Sequence, residues 1–326
     1  MRRNEASPMF DRILLPLDRS ALAECVLPHA IALAHAFESQ ITLLHVMDTP
    51  REARWRRAMD PLNWQIRKAE ATAYLSEVDA RLQTAGLLTD PHILEGIAAE
   101  QVIGFADIHA SQLIILSSHG QSGLSEWGVS SVVQKIAQRA HTSVMIVRAA
   151  QPVVLDAPGL RYQRILVPLD GAPRAEYILP AAATLARAHD AHIVLAHLVQ
   201  QPTLPRRTPP SREDVELADQ LVARNQAEAT QYLDQVQSRI TGKVDTRVLV
   251  SDHLAAALHD LVEQEKIDLV LVSAHSHTSQ TRWPYGDVVS NLITYGTTPL
   301  VIVQDSLQAP TAPASIEATN GEPGEQ

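Results

Sequence analysis

The chain has a single cysteine, Cys25, so no disulfide can close within it and nothing in its thiol content asks for an oxidising compartment. No stretch approaches the ~18 consecutive apolar residues of a membrane span. The opening MRRNEASPMF has no apolar run of signal-peptide length. The expected location is the cytoplasm, in soluble form, with no membrane partner. Basic residues are in the minority, 27 Lys and Arg against 37 Asp and Glu, for a net charge of −10. A general affinity for nucleic acid is thereby excluded, because polyanion binding needs a basic field that releases counterions. Glycine-rich fingerprints are missing too. No Gly-x-Gly-x-x-Gly follows an apolar run and no Gly-x4-Gly-Lys-(Ser/Thr) occurs, which removes the dinucleotide and P-loop readings.

At 326 residues and 45% hydrophobic content, the chain can bury two ordinary cores. Internal repetition says how. Residues 12–46 laid on 164–198, an offset of 152, match at 17 of 35 positions. RILLPLD answers RILVPLD, Leu27-Pro28 answers Leu179-Pro180, and His45 answers His197. Further on the offset becomes 156, which pairs Trp127 with Trp283. Two duplicated domains are expected at 10–148 and 163–305. An N-terminal tail (1–9), a linker (149–162) and a Pro-, Ala-, Ser- and Glu-rich tail from 306 that cannot bury enough to fold complete the chain.

Within each half, short β-branched runs alternate with stretches of helical period, which predicts a parallel sheet with crossover helices. Strands are expected at about 11–17, 41–46, 91–95, 112–117 and 143–148, and again at 163–169, 192–198, 245–250, 268–273 and 299–304. Their nearly unbroken apolarity is what strands covered on both faces need. Four helices per half follow. The first, about 21–37, carries Leu22, Val26, Ile31, Leu33 and Ala34 on one stripe, with Ser20 as N-cap and an internal Pro28 that should kink it, as Pro180 should in the copy. Long helices are expected at 62–85 and 212–240. They follow loops whose arginines, Arg51, Arg54, Arg56 and Arg57, then Arg206, Arg207 and Arg212, are read either as solvated charge or as a phosphate-side lid.

The stretch 113–132, LIILSSHGQSGLSEWGVSSV, and its altered copy 269–288 each run from a buried strand through a polar loop to a helix start, the outline of a phosphate-binding strand-loop-helix. Ligands of an open parallel sheet bind beyond the carboxyl ends of its strands where the connection order reverses. With strands one and four adjacent at that reversal, Asp18 meets the loop after Ser117, and Asp170 the loop after Ser273. Asp18 then either accepts hydrogen bonds from a ribose or adenine, or caps the helix that follows it.

On these residues the chain resembles the universal stress protein family. The carriers are the hydrophobic-Pro-x-Asp opening, the small-x2-Gly loop and the Ser-Val or Asp-Val start of the last helix, over about 10–148 and 164–304. The resemblance implies two repeated five-stranded α/β sandwiches of adenine-nucleotide-hydrolase-like, Rossmann-like type. These would pack as an internal pseudo-dimer through their last strands, and pairing of whole chains would also be possible. Its ATP-binding members carry Gly-x2-Gly-x9-Gly-(Ser/Thr). Here the spacing survives while the residues drift, so the resemblance implies an ATP site, with Mg²⁺ if ATP binds, on Pro16, Asp18, Val46, Ser117, His119, Gly120, Ser130, Ser131 and Val132. The second set, Asp170, Ser273, Ser276, Gly286 and Asp287, is expected to be degenerate. Asp287 stands where a phosphate-binding hydroxyl is wanted and should cap the helix amides with its own carboxylate. The expected role is non-catalytic ligand sensing in the stress response. Slow ATP hydrolysis would have to use His119, Asp18 or Glu126, and a nucleotide-free partner-binding module is the third reading. His275 and His277 lack the partner spacing of a zinc site.

Overall fold

The computed structural model describes residues 9–48, 61–120, 129–149, 159–202, 211–274 and 285–304. Residues 1–8 of the N-terminal tail, the tail from 306, most of the linker, Arg51, Arg54, Arg56, Arg57, Arg206, Arg207, Glu126, Trp127, His275, Ser276, His277 and Trp283 lie outside these residues. In the first half the strands are β1 (Arg12–Pro16), β2 (Gln40–Asp48), β3 (Thr89–Gly96), β4 (Leu113–Ser117) and β5 (Ser143–Val147). The helices are α1 (Leu27–Phe37), α2 (Pro61–Thr84), α3 (Ala98–Ile108) and α4 (Ser131–Arg139). The second half repeats this with β6 (Arg164–Pro168), α5 (Leu179–His189), β7 (His192–Val199), α6 (Arg212–Ser238), β8 (Lys243–Val250), α7 (Leu254–Gln264), β9 (Leu269–Ser273), α8 (Asp287–Tyr295) and β10 (Leu300–Val303).

All ten strands form one sheet in the order β3-β2-β1-β4-β5-β10-β9-β6-β7-β8. Pairing is parallel within each half and antiparallel at the central seam, where Leu300, Val301 and Ile302 oppose Ile146, Met145 and Val144. Each last strand thus shields the other's edge, whose open N–H and C=O groups would otherwise template aggregation.

Period-2 alternation sends successive side chains to opposite faces. Ile13, Leu15, Leu113, Ile115, Met145, Val301, Leu271, Ile165 and Val167 build one core, and their neighbours Leu14, Ile114, Leu116, Val144, Ile302, Val270 and Leu166 build the other. Helices α1, α2, α5 and α6 cover the first core; α3, α4, α7 and α8 cover the second. Both cores run through the two halves without a break, so the duplicated domains share their hydrophobic interior.

The first helix departs from expectation. Residues Ala23–Val26 form a 3-10 turn and the α-helix begins only at Leu27, which places Pro28 in its first turn. There the missing N–H is one that the helix would leave unpaired anyway, so proline starts α1 instead of kinking it. Pro180 does the same for α5 after the turn Ala175–Ile178. Ser20 does not cap α1: its hydroxyl accepts from the N–H of Ala23, the first residue of the 3-10 turn, at 3.1 Å. Arg212 also departs from the loop reading, since it opens α6 and pairs with Glu216 one turn on.

The long helices are anchored alike in both halves. Ala71, Leu75 and Val78 are buried on α2, as are Ala229, Leu233 and Val236 on α6. Arg81 reaches Glu24 at 2.8 Å, and Arg239 reaches Glu176 at 2.6 Å. A common offset of 158 relates the two helices residue by residue.

Contacts between the halves extend beyond the seam. The Arg148 guanidinium donates to the Leu292 carbonyl in the last turn of α8 at 2.6 Å, and the Tyr285 hydroxyl donates to the Ala137 carbonyl in the last turn of α4. Each half therefore donates to a carbonyl in the last turn of the other half's last helix, and the Leu292 carbonyl also accepts from the Gly296 N–H at 3.0 Å. Tyr162, at the end of the expected linker, is fully buried and hydrogen-bonded to His29 of α1 at 2.8 Å. No helix among the described residues is long and apolar enough to cross a membrane.

Candidate functional site

The connection order reverses between β1 and β4, which lie side by side with Ile13 opposite Leu113. Beyond their carboxyl ends lies a cavity of about 930 Å³. Its wall includes all nine residues expected for the first site: Pro16, Asp18, Val46, Ser117, His119, Gly120, Ser130, Ser131 and Val132. Apolar side chains of Leu44, Val102 and Ile136 line it as well.

Asp18 follows β1 by two residues, and one carboxylate oxygen accepts from the Ser20 N–H at 2.9 Å and from its hydroxyl at 2.6 Å. The other oxygen faces Gly120 so closely that a Cβ built on Gly120 would overlap it. The glycine is needed here by the carboxylate of the chain's own Asp18.

The loop after β4 is stitched shut at its base. The Ser118 N–H donates to the Val147 carbonyl at 2.8 Å and the Ser118 carbonyl accepts from the Ser130 N–H at 2.8 Å, which fixes where the loop leaves the sheet and where α4 begins. The Ser118 hydroxyl accepts from the Ala149 N–H at 3.0 Å. This closure is the physical content of the nine-residue spacing between Gly120 and Ser130. The Ser117 hydroxyl is turned to the Leu22 and His119 carbonyls, at 3.1 and 2.7 Å, and receives the Cys25 thiol at 3.4 Å. These contacts hold the end of β4 against the turn before α1.

Helix α4 opens at Ser131, with Ser130 as N-cap accepting from the Val133 N–H at 3.4 Å. The first turn's amides and the positive end of the helix dipole make this an anion-accepting end, and Ser131 is exposed there. His119 is buried, with Nδ1 3.0 Å from the Ser118 hydroxyl. Burial first and the Arg148 cation second hold its pKa below the ordinary histidine value, so it is a neutral imidazole at pH 7. It can exchange a hydrogen bond with a ligand but brings no positive charge to a phosphate. His45 Nδ1–H donates to the Leu17 carbonyl at 2.7 Å, and burial keeps that ring neutral as well.

The second repeat is built on the same frame with other groups. Asp170 accepts from the Ala172 N–H at 2.9 Å, Ser273 ends β9, and the Ala274 N–H reaches the Val303 carbonyl at 2.8 Å as Ser118 reaches Val147. The expected capping by Asp287 is not found. Gly286 is the N-cap of α8, no side chain caps its amides, and Asp287 is the exposed first residue of the helix. It places a negative charge at the positive helix end.

Three charged residues of the cavity wall go beyond those the sequence points to: Arg19, directly after Asp18, and Arg67 and Glu70 on α2. The only sequence sign of them is a contrast, because the copy has Gly171 where Arg19 stands.

The sequence profile of the universal stress protein family matches residues 9–148 and 161–304. The chain belongs to that family, as a tandem member with both repeats in one polypeptide. A universal stress protein of Methanocaldococcus jannaschii is 25% identical over 146 residues, 43% of this chain and 83% of that one. The universal stress protein YxiE of Bacillus subtilis is 26% identical over 152 residues, 43% of this chain and 100% of its own. Each thus corresponds to a single repeat. The crystal structure of a universal stress protein from Archaeoglobus fulgidus covers 90% of this chain and 98% of its own at a TM-score of 0.65 and 15% identity. A functionally unknown protein from Pseudomonas aeruginosa covers 91% and 94%, again at 0.65, with 13% identity. These two likenesses carry the fold.

Proposed function

We propose that the first repeat of this tandem universal stress protein binds an adenine nucleotide, ATP with Mg²⁺, and that the protein senses this ligand in the cytoplasm without turning it over. The observation that carries the reading is the cavity at the β1/β4 reversal, where Asp18, Gly120 and the amide-bearing start of α4 line one wall system. Its volume suits a ligand of nucleotide size. Asp18 supplies an acceptor for a ribose hydroxyl or an adenine amine, and the α4 terminus supplies donors for phosphate. A non-catalytic role is supported by the engagement of the two candidate bases among the described residues: Asp18 holds Ser20, and His119 is bonded to Ser118. The second repeat is the structural half, with Asp287 setting a negative charge where the first repeat has Ser131.

Thermal and urea denaturation with and without nucleotide test this. A ligand present at 100 times its dissociation constant should add about 2.7 kcal/mol of stability. The substitution Ser131→Asp, which copies the second repeat at an exposed position, should leave the unliganded protein folded while weakening Mg²⁺-free ATP binding at least tenfold, since the added charge opposes phosphate at short range. Unchanged stability in millimolar ATP, ADP and AMP would favour a nucleotide-free partner-binding module instead.

A further inference from the structure

The two repeats are an internal comparison, and they differ most informatively at the cavity mouth. Arg19 has φ +70°, in the left-handed region that disfavours any residue with a Cβ, and the copy solves the same turn with Gly171 at φ +83°. The first repeat therefore keeps an arginine where a glycine would fit the backbone better. The Arg19 guanidinium spans to α2 and meets Glu70 at 3.0 Å. Arg67, one turn before Glu70, lines the same cavity. With the 158-residue offset of the long helices, Glu70 corresponds to Glu228 and Arg67 to Asn225. Glu228 is taken by Arg224 of its own helix at 2.9 Å, so the copy lacks both cations and the bridge across the mouth. Arg81–Glu24 and Arg239–Glu176, by contrast, occur in both repeats and belong to the shared scaffold.

We infer that Arg19 and Arg67 form a charge-reading gate on the first repeat's cavity, in which Arg19 exchanges Glu70 for an anionic group of the ligand, so that the site takes a polyphosphorylated nucleotide in preference to a nucleoside or a monophosphate. This rests on the nucleotide-site reading above and adds to it a second anion-binding point, distinct from the start of α4. The pair suits an exchange: both partners are partly exposed, with side-chain exposures of 30% and 54%, and such ion pairs are weak enough for a ligand phosphate to replace them. A bidentate guanidinium is also better matched to phosphate than to a single carboxylate oxygen. The Arg19 charge reaches the inner wall, where it opposes protonation of His45.

Titration calorimetry of the full chain with adenosine, AMP, ADP and ATP, for the unaltered protein, Arg19→Gly and Glu70→Gln, tests the gate. Glycine at 19 reproduces the backbone of the copy, so the variant should fold. The unaltered protein should bind ATP at least tenfold more tightly than AMP. Arg19→Gly should reduce that ratio about tenfold, and Glu70→Gln, which frees Arg19 from its competitor, should raise it. Damage to the fold would move both variants in the same direction. A ratio unchanged in Arg19→Gly, or a uniform weakening of all four ligands, would overturn the gate while leaving the nucleotide site standing. Failure of all four to bind the unaltered protein would overturn both.

Discussion

Gly120 and Asp18 show how the site depends on single atoms. The glycine's role is steric, because the Asp18 carboxylate fills the place of its Cβ, and a side chain forced into a filled space typically costs about 1–3 kcal/mol. Gly120→Ala is expected to destabilise the protein by that order in urea denaturation, and Asp18→Ala in the same chain should recover part of the loss. Additive losses in the double variant would show that the two residues do not compete for space. The sequence marks both residues, through the Pro-x-Asp opening and the loop spacing. Their contact is not legible in the chain alone, because residues 18 and 120 meet only when β1 and β4 pair. Arg19, Arg67 and Glu70 were overlooked for the same reason: each looks like ordinary surface charge until α2 is laid beside the turn after β1.

At the scale of elements, hydrophobic periodicity placed all ten strands and the long helices to within about two residues at most of their ends. The errors lie at helix starts. A run of helical period containing proline predicts one kinked helix, yet the chain forms a 3-10 turn and then begins a new helix with Pro28 in its first turn. An interior proline costs about 3 kcal/mol, whereas one in the first turn costs little. Replacement of Pro28 by alanine should therefore change stability by less than about 1 kcal/mol, and a gain near 3 kcal/mol on denaturation would restore the kinked-helix view. The start of α8 teaches a related lesson. An aspartate near a helix start suggests a cap, but capping belongs to the residue before the first helical one, and there the chain has Gly286.

On the scale of the whole molecule, the seam between β5 and β10 is flanked by His29, Tyr162 and His189, which tie α1 to the second half. The Tyr162 and His189 rings are 5.1 Å apart. Burial lowers the His29 pKa to about 4 and pushes that of His189 down as well. The unfolded chain takes up a proton on His29 near pH 6.5, and the folded chain does so only near pH 4. Stability is therefore intact above about pH 6.5 and is lost progressively toward pH 4, by on the order of 3 kcal/mol from His29. Urea midpoints measured between pH 7 and pH 4.5 should fall in the unaltered protein. They should fall distinctly less in His29→Gln, and equal slopes would remove His29 as the cause.

What the sequence by itself determined is the duplication, the α/β alternation, the family, and the positions where a site could form, because periodicity, repeat spacing and local motifs are properties of the chain's order. What only the tertiary structure decided is which groups meet: the Asp18 carboxylate against Gly120, the Arg19–Glu70 bridge, the cross-domain carbonyl contacts of Arg148 and Tyr285, and one sheet with two cores shared by both repeats. Such meetings join residues that are 50 to 150 positions apart, and their energies arise only when folding has brought those distant segments into contact and excluded water between them.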